Sequence, residues 1–146
     1  MDAGLRTPHI LAIDDEPDIL EVYRDILTDE GYRVTTQLVP ATDPADVRAL
    51  APDLIVLDLL IGHEDRGTPF LAMLKADSTT RDIPVLVCSV AIHRLRALEA
   101  QFASWDCGVV AKPFDIDDFL ADVRACLAKH PDRRDDARHL GAAAAA

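Results

Sequence analysis

No apolar stretch in this chain is long enough to cross a bilayer. The longest, LIVLDLLI (54–61) and IPVLVCSVAI (83–92), fall well short of the roughly 18 residues that a helical span requires. The first residues, MDAGLRTPHILAID, have a single Arg and too short an apolar run for a signal peptide, so a cytoplasmic protein is expected. Positive charge is also scarce. Against 26 Asp and Glu stand 15 Lys and Arg, a net charge of -11, and such a field repels phosphate backbones and anionic lipid headgroups. Binding of nucleic acid or membrane by this chain is therefore not expected. Cys88, Cys107 and Cys126 are odd in number and have no CxxC spacing, which fits reduced thiols better than a disulfide framework or a zinc site. His9, His93, His130 and His139 have no metal-ligand spacing, and Trp105, the one tryptophan, reads as a packing or surface residue.

What is present is a regular alternation of apolar runs with amphipathic stretches. The 146 residues, 49% of them hydrophobic, suit one domain burying roughly 70% of its unfolded-chain surface. Strands are predicted at HILAI (9–13), RVTTQLV (33–39), LIVLD (54–58), PVLVC (84–88) and GVVA (108–111). Helices are predicted between and after them at 17–31, 43–50, 69–76, 91–103 and 115–130. Pro17 suits a first helical turn, Gly31 a helix end and Asp43 an N-cap. Inward faces are read as Ile19, Tyr23, Ile26 and Leu27; Ile92, Leu95, Leu98 and Phe102; and Ile116, Phe119, Leu120, Val123 and Leu127. Strands that are apolar on both faces imply a parallel sheet covered by helices on each side, a doubly wound α/β domain. Residues 8–129 are expected to form this domain. The charged, alanine-rich tail 130–146 is expected to be flexible or to extend the last helix.

The polar residues fall where such a fold places its chemistry. Asp14 and Asp15 follow the first strand, Asp58 ends the third, Ser89 follows the fourth and Lys112 the fifth. In a flavodoxin-like sheet of order 2-1-3-4-5, ligands bind outside the C-terminal strand ends at the switch point between strands 1 and 3. Asp14, Asp15 and Asp58 converge there. Three carboxylates in one cleft repel one another unless a cation sits among them, and a hard divalent ion such as Mg²⁺ is the natural one. With Lys112 as a compact positive charge and Ser89 as a hydroxyl donor, the set suits phosphoryl transfer to a carboxylate nucleophile.

The acidic pair in AIDDEPD, the aspartate in LIVLDLL, the serine in VLVCSVA and the lysine with its proline in AKPF make the sequence resemble a receiver domain of two-component response regulators. The resemblance implies Asp58 as phosphoacceptor in a Mg²⁺-dependent reaction. It also implies Asp15, Asp58 and the backbone carbonyl of Leu60 as direct Mg²⁺ ligands, with Asp14 acting through water. Ser89 and Lys112 would bind phosphoryl oxygens, and the Lys112-Pro113 bond would be cis. A sensor histidine kinase or phosphotransfer protein would be the donor and a downstream protein the target, with a homodimer as one form of output. The domain would be no enzyme in the ordinary sense, although it would promote its own phosphorylation and dephosphorylation.

The chain departs from the family in several places. The family's Tyr or Phe three residues before the lysine is Val109, so a ring-flip output is expected to be missing and any signal to travel through the loops after Asp58 and Ser89. The residue after the serine is Val90 rather than a small one. In the loop DLLIGHEDRG, Gly62 stands at a proline position and the later glycine is displaced by one residue. Glu16 reads as rim charge and His63, Glu64 and Asp65 as a solvated loop. Leu60 and Ala91 occupy positions that modulate hydrolysis in the family and offer nothing to orient water, so slow dephosphorylation is expected. Two other readings compete with a phosphoacceptor. One is a phosphorylation-independent pseudo-receiver adaptor, suggested by Val109 and the altered loop. The other is a metal-dependent phosphatase with an Asp nucleophile, which would want a second Asp where Leu60 stands.

Overall fold

The computed structural model describes residues 7–129. In chain order the elements are β1 (His9–Ile13), α1 (Pro17–Asp29), β2 (Arg33–Gln37), α2 (Pro44–Leu50), β3 (Leu54–Leu57), β4 (Leu60–Ile61), β5 (Glu64–Asp65) and α3 (Gly67–Ala76). There follow β6 (Val85–Ser89), α4 (Ile92–Ala97), α5 (Glu99–Ser104), β7 (Gly108–Ala111) and α6 (Ile116–Ala128). Five strands make one parallel sheet in the order β2-β1-β3-β6-β7, while β4 and β5 form a separate antiparallel hairpin. Leaving the hairpin aside, this is the expected order. The tail expected to be flexible or helical lies outside the described residues.

Alternation of side chains along each strand divides the core in two. Ile10, Ala12, Val56, Leu86 and Cys88 face α1 and α6, where Leu20, Tyr23, Leu27, Phe119 and Val123 cover them. Leu11, Ile13, Ile55, Leu57 and Val87 face the opposite layer, covered by Val47, Phe70, Leu71, Leu74, Leu95 and Phe102. Every residue of β1, β3 and β6 is buried, the property that the apolar runs announced.

Local signals set most helix ends. Pro17 begins α1, and beyond its end the Gly31 N–H donates to the Thr28 carbonyl while the Tyr32 N–H donates to that of Leu27, a Schellman pattern. Asp43 and Asp115 cap α2 and α6 by accepting from the N–H groups of Ala45 and Asp118. At the N-terminal end of the sheet, His9 Nδ1 donates to the Leu50 carbonyl at 2.9 Å and Nε2 lies 2.7 Å from Thr35 Oγ1. The three cysteines are free, as expected.

The structure corrects the sequence reading in four places. The helix expected over 91–103 is broken at Leu98 into α4 and α5; Leu95 and Phe102 lie almost two full turns apart, so apolar periodicity continues through the break and does not reveal it. Ile92 and Ile116 are exposed rather than inward. Each is the first residue of its helix, and a helical side chain leans toward the N-terminus, here past the end of the packed layer. The loop after Asp58 contains the β4-β5 hairpin. Asp65, read as part of a solvated loop, is partly buried and bonded to Thr68 and Arg94.

Candidate functional site

Strand register assembles the site. Ile13 pairs with Leu57, so the next residues, Asp14 and Asp58, leave the sheet side by side, with the Asp58 N–H donating to the Ile13 carbonyl at 3.0 Å. Ser89 pairs with Ala111 on the neighbouring strand, and the Lys112 N–H donates to the Ser89 carbonyl at 2.9 Å. Lys112 reaches back over the strand ends: its Nζ lies 2.5 Å from Asp14 Oδ2 and 3.5 Å from Asp58 Oδ2. The following bond, Lys112-Pro113, is cis, as the resemblance implies. Phe114 then stacks on Phe119 at 4.7 Å and on Tyr23 at 6.1 Å, anchoring the loop that carries the lysine.

Asp14, Asp15 and Asp58 bring one carboxylate oxygen each within 4.8 Å of one another. Asp14 and Ser89 are fully buried and Asp58 nearly so. Backbone donors hold each acid: the Glu16 N–H on Asp14 at 3.0 Å, the Gly62 N–H on Asp15 at 2.9 Å and the Leu60 N–H on Asp58 at 3.2 Å. Ser89 Oγ accepts from the Ala91 N–H at 3.1 Å, leaving the hydroxyl proton to donate elsewhere.

Burial pushes the Asp58 carboxyl above the usual carboxylate range, and the charge of Asp14 adds to this; Lys112 and the Leu60 N–H pull the other way without cancelling it. For Lys112 the balance is reversed. Burial alone would lower its ammonium, but the Asp14 hydrogen bond and the Asp58 charge hold it above the ordinary lysine range. Cys88, next to Ser89, is pushed up to about 12 by burial and is chemically quiet.

The hairpin explains the altered loop. Gly62 (φ +61°) and His63 (φ +70°) are the two linking residues between β4 and β5, and positive φ at both is the signature of a type I′ turn. A proline at position 62 could neither adopt this φ nor donate an N–H to Asp15. The displaced glycine also has a role. A Cβ on Gly67 would fall 2.6 Å from Leu59 Cα and 2.7 Å from the Asp58 carbonyl oxygen, so the start of α3 touches the backbone beside Asp58 only because no side chain intervenes.

All the expected acids and Lys112 are thus brought together, and Ser89 ends the adjacent strand. Leu60 meets Asp58 through its N–H. Val109 sits on β7 with its side chain outward, 44% exposed. Sequence reasoning missed Arg94, whose guanidinium pairs with Asp65, and the close approach at Gly67. Arg94 shows no sequence signal, because its partner lies 29 residues away across two elements.

Known proteins share this sequence pattern and fold. The family model for the response regulator receiver domain matches residues 10–124. The DNA-binding dual master transcriptional regulator RpaA of Synechocystis sp. is 36% identical over 123 residues, covering 82% of this chain and 49% of that protein. The transcriptional regulatory protein KdpE of Mycobacterium tuberculosis is 38% identical over 125 residues, covering 83% and 51%. The chain therefore spans about half the length of the curated relatives it matches. Among solved structures, a CheY-like receiver domain protein from Methanospirillum hungatei JF-1 shares the fold with a TM-score of 0.73 at 21% identity, covering 88% of this chain and 99% of that one. The non-phosphorylated HemR receiver domain from Leptospira biflexa matches with a TM-score of 0.62 at 25% identity, covering 83% and 94%. With an acidic cluster at the switch point, a lysine spanning it and a match over most of its length, this chain belongs to the response regulator receiver domain family.

Proposed function

We propose that the chain is a phosphoacceptor that takes a phosphoryl group on Asp58 from a sensor histidine kinase or phosphotransfer protein and thereby changes its affinity for a downstream protein. The observation that carries this reading is Lys112 Nζ held between the carboxylates of Asp14 and Asp58 at the edge of the acidic cluster. An ionised Asp58 oxygen attacks phosphorus in line; the bond from phosphorus to the donor breaks, and its electron pair leaves with the donor. No base is needed. Lys112 supplies positive charge to one phosphoryl oxygen and the Ser89 hydroxyl donates to another. The domain is then a self-modifying acceptor rather than a turnover enzyme, working in the cytoplasm, singly or as a homodimer.

The donor set fits a hard divalent cation. Three carboxylates each bring an oxygen within 4.8 Å of the others, all of them hard donors, and burial and the Asp14 charge raise the Asp58 carboxyl despite Lys112. Asp15, Asp58 and the Leu60 carbonyl would hold Mg²⁺ directly and Asp14 through water. When bound, the ion neutralises phosphoryl oxygens and relieves the repulsion among the acids.

Intact mass after incubation with acetyl phosphate, with and without Mg²⁺, tests the reading on the wild type and Asp58→Ala. A Mg²⁺-dependent, hydroxylamine-labile adduct in the wild type alone is expected; its absence would leave a phosphorylation-independent adaptor. Leu60 and Ala91 place no polar side chain to orient water, so the adduct decays slowly and Leu60→Asn shortens its lifetime. Equal lifetimes would count against that role.

A further inference from the structure

Val109 leaves this receiver without an aromatic ring beside its lysine, yet the structure contains a continuous connection from Asp58 to α4. It begins at the Leu60 N–H, which donates to Asp58 Oδ1 at 3.2 Å. Leu60 is the direct cross-strand partner of Asp65 in the β4-β5 hairpin. Asp65 Oδ2 in turn accepts from Arg94 Nε at 2.8 Å and from Arg94 Nη2, and Arg94 lies in α4. Thr68 fixes the aspartate further, its N–H on Oδ1 at 2.9 Å and its hydroxyl on Oδ2 at 2.8 Å. The Asp65 side chain is 14% exposed and that of Arg94 48%, so the aspartate is partly sheltered while the guanidinium stays open to solvent. The tip of the hairpin is tied to the acidic site a second time, through the Gly62 N–H and Asp15.

The hairpin is therefore a short strut. Its strands are two residues each and its turn a two-residue link, so Leu60 and Asp65 face each other in register with only four residues between them. Phosphorylation changes the near end of this strut. The Asp58 carboxylate becomes an acyl phosphate, a mixed anhydride, and the charge that the Leu60 N–H faces moves outward onto the phosphoryl oxygens.

We propose that Asp65 and Arg94 are the pair through which the state of Asp58 is transmitted to α4, taking the part that an aromatic switch residue would otherwise play. The coupling rests on the phosphoacceptor reading above and names the output of that same site. A ligand or modification shifts a conformational equilibrium only through contacts that differ between its two states. The Leu60 contact differs at one end of the strut, and the Arg94 pair is the bond at the other. The exposed side chains of Val90 and Ile92 lie at the start of α4, so a movement of this helix alters an apolar surface that a partner can read.

Arg94 is a positioning residue, and its test needs a readout that loss of a merely structural contact would not move. Backbone amide resonances are followed with and without acetyl phosphate and Mg²⁺, with intact mass in parallel, on the wild type, Arg94→Ala and Arg94→Lys. All three proteins should gain the phosphoryl mass, acetate being released, and in all three the amides of residues 60–62 should move. The amides of residues 92–97 should move on phosphorylation in the wild type, lose more than half of that movement in Arg94→Ala, and regain part of it in Arg94→Lys, which keeps the charge but not the fork. Equal movement of residues 92–97 in the wild type and Arg94→Ala, with the mass gained in both, would overturn the coupling alone. So would a phosphorylated wild type in which residues 92–97 stay still. A wild type that gains no mass would overturn the phosphoacceptor reading and the coupling with it.

Discussion

Asp58 is held in a place that disfavours its own charge. Burial and the neighbouring Asp14 raise its pKa, while Lys112 and the Leu60 N–H recover only part of the loss. A carboxyl whose folded-state pKa lies above its unfolded one stabilises the fold below the unfolded value and loses that contribution as pH rises through the folded one. At neutral pH the ionised group therefore costs stability. Asp58→Asn should stabilise the domain at pH 7 without divalent cations, because the neutral amide escapes the cost of a buried charge beside Asp14. The gain should shrink as pH falls toward the unfolded carboxylate value, about 4. Urea midpoints at the two pH values check this, and an unchanged or lower midpoint at pH 7 would contradict it. Tolerating such a residue is the usual cost of a functional site.

Among the elements, the hairpin and α3 depend on each other through Gly67. Its N–H donates to the Leu59 carbonyl at 2.9 Å, and the missing side chain lets the two backbones meet. The atoms in the way are main chain, which cannot rotate aside. Gly67→Ala should therefore lower stability by about 1–3 kcal/mol, the range for overpacked sites. Because the displaced atoms are those of Asp58 and Leu59, it should also slow phosphorylation by acetyl phosphate. Chemical denaturation and the rate of mass gain measure the two effects separately, and an alanine variant matching the wild type in both would show that the hairpin gives way freely. The break between α4 and α5 belongs to this scale too. It divides one amphipathic stretch into two short helices, so Arg94 is carried by a helix of only six residues that ends at Leu98.

For the whole molecule, a net charge of -11 means that acidification at first relieves self-repulsion. Asp65 works against this trend. Burial raises its carboxyl, but the Thr68 and Arg94 hydrogen bonds outweigh it and hold the group below the usual carboxylate range. Its contribution is then complete above the unfolded value, about 4, and is lost as pH falls through the lower folded value. The stability difference between the wild type and Asp65→Asn should stay constant from pH 7 to 5 and shrink below about pH 4. Thermal midpoints across that range test the sign; a gap that widened on acidification would reverse it.

The linear order of residues was enough to determine the five sheet strands, the helix cap at Asp43 and, with the strand order that the fold class supplies, the convergence of Asp14, Asp15 and Asp58. Each of these follows from local periodicity, from a side chain bonding its own neighbours, or from the rule that polar residues at C-terminal strand ends gather at the switch point. The β4-β5 hairpin was less legible, because its strands are too short for a period to register and its turn shows only as one glycine followed by a histidine. The split at Leu98 left the apolar pattern intact. Asp65 with Arg94, and Gly67 with Leu59, were decided by tertiary structure alone: one is an ion pair between separate elements, the other an approach of two backbones that leaves no mark except a missing Cβ. Residues that meet only because a sheet and its helices have packed carry no local pattern, so these two contacts became visible only in the folded chain.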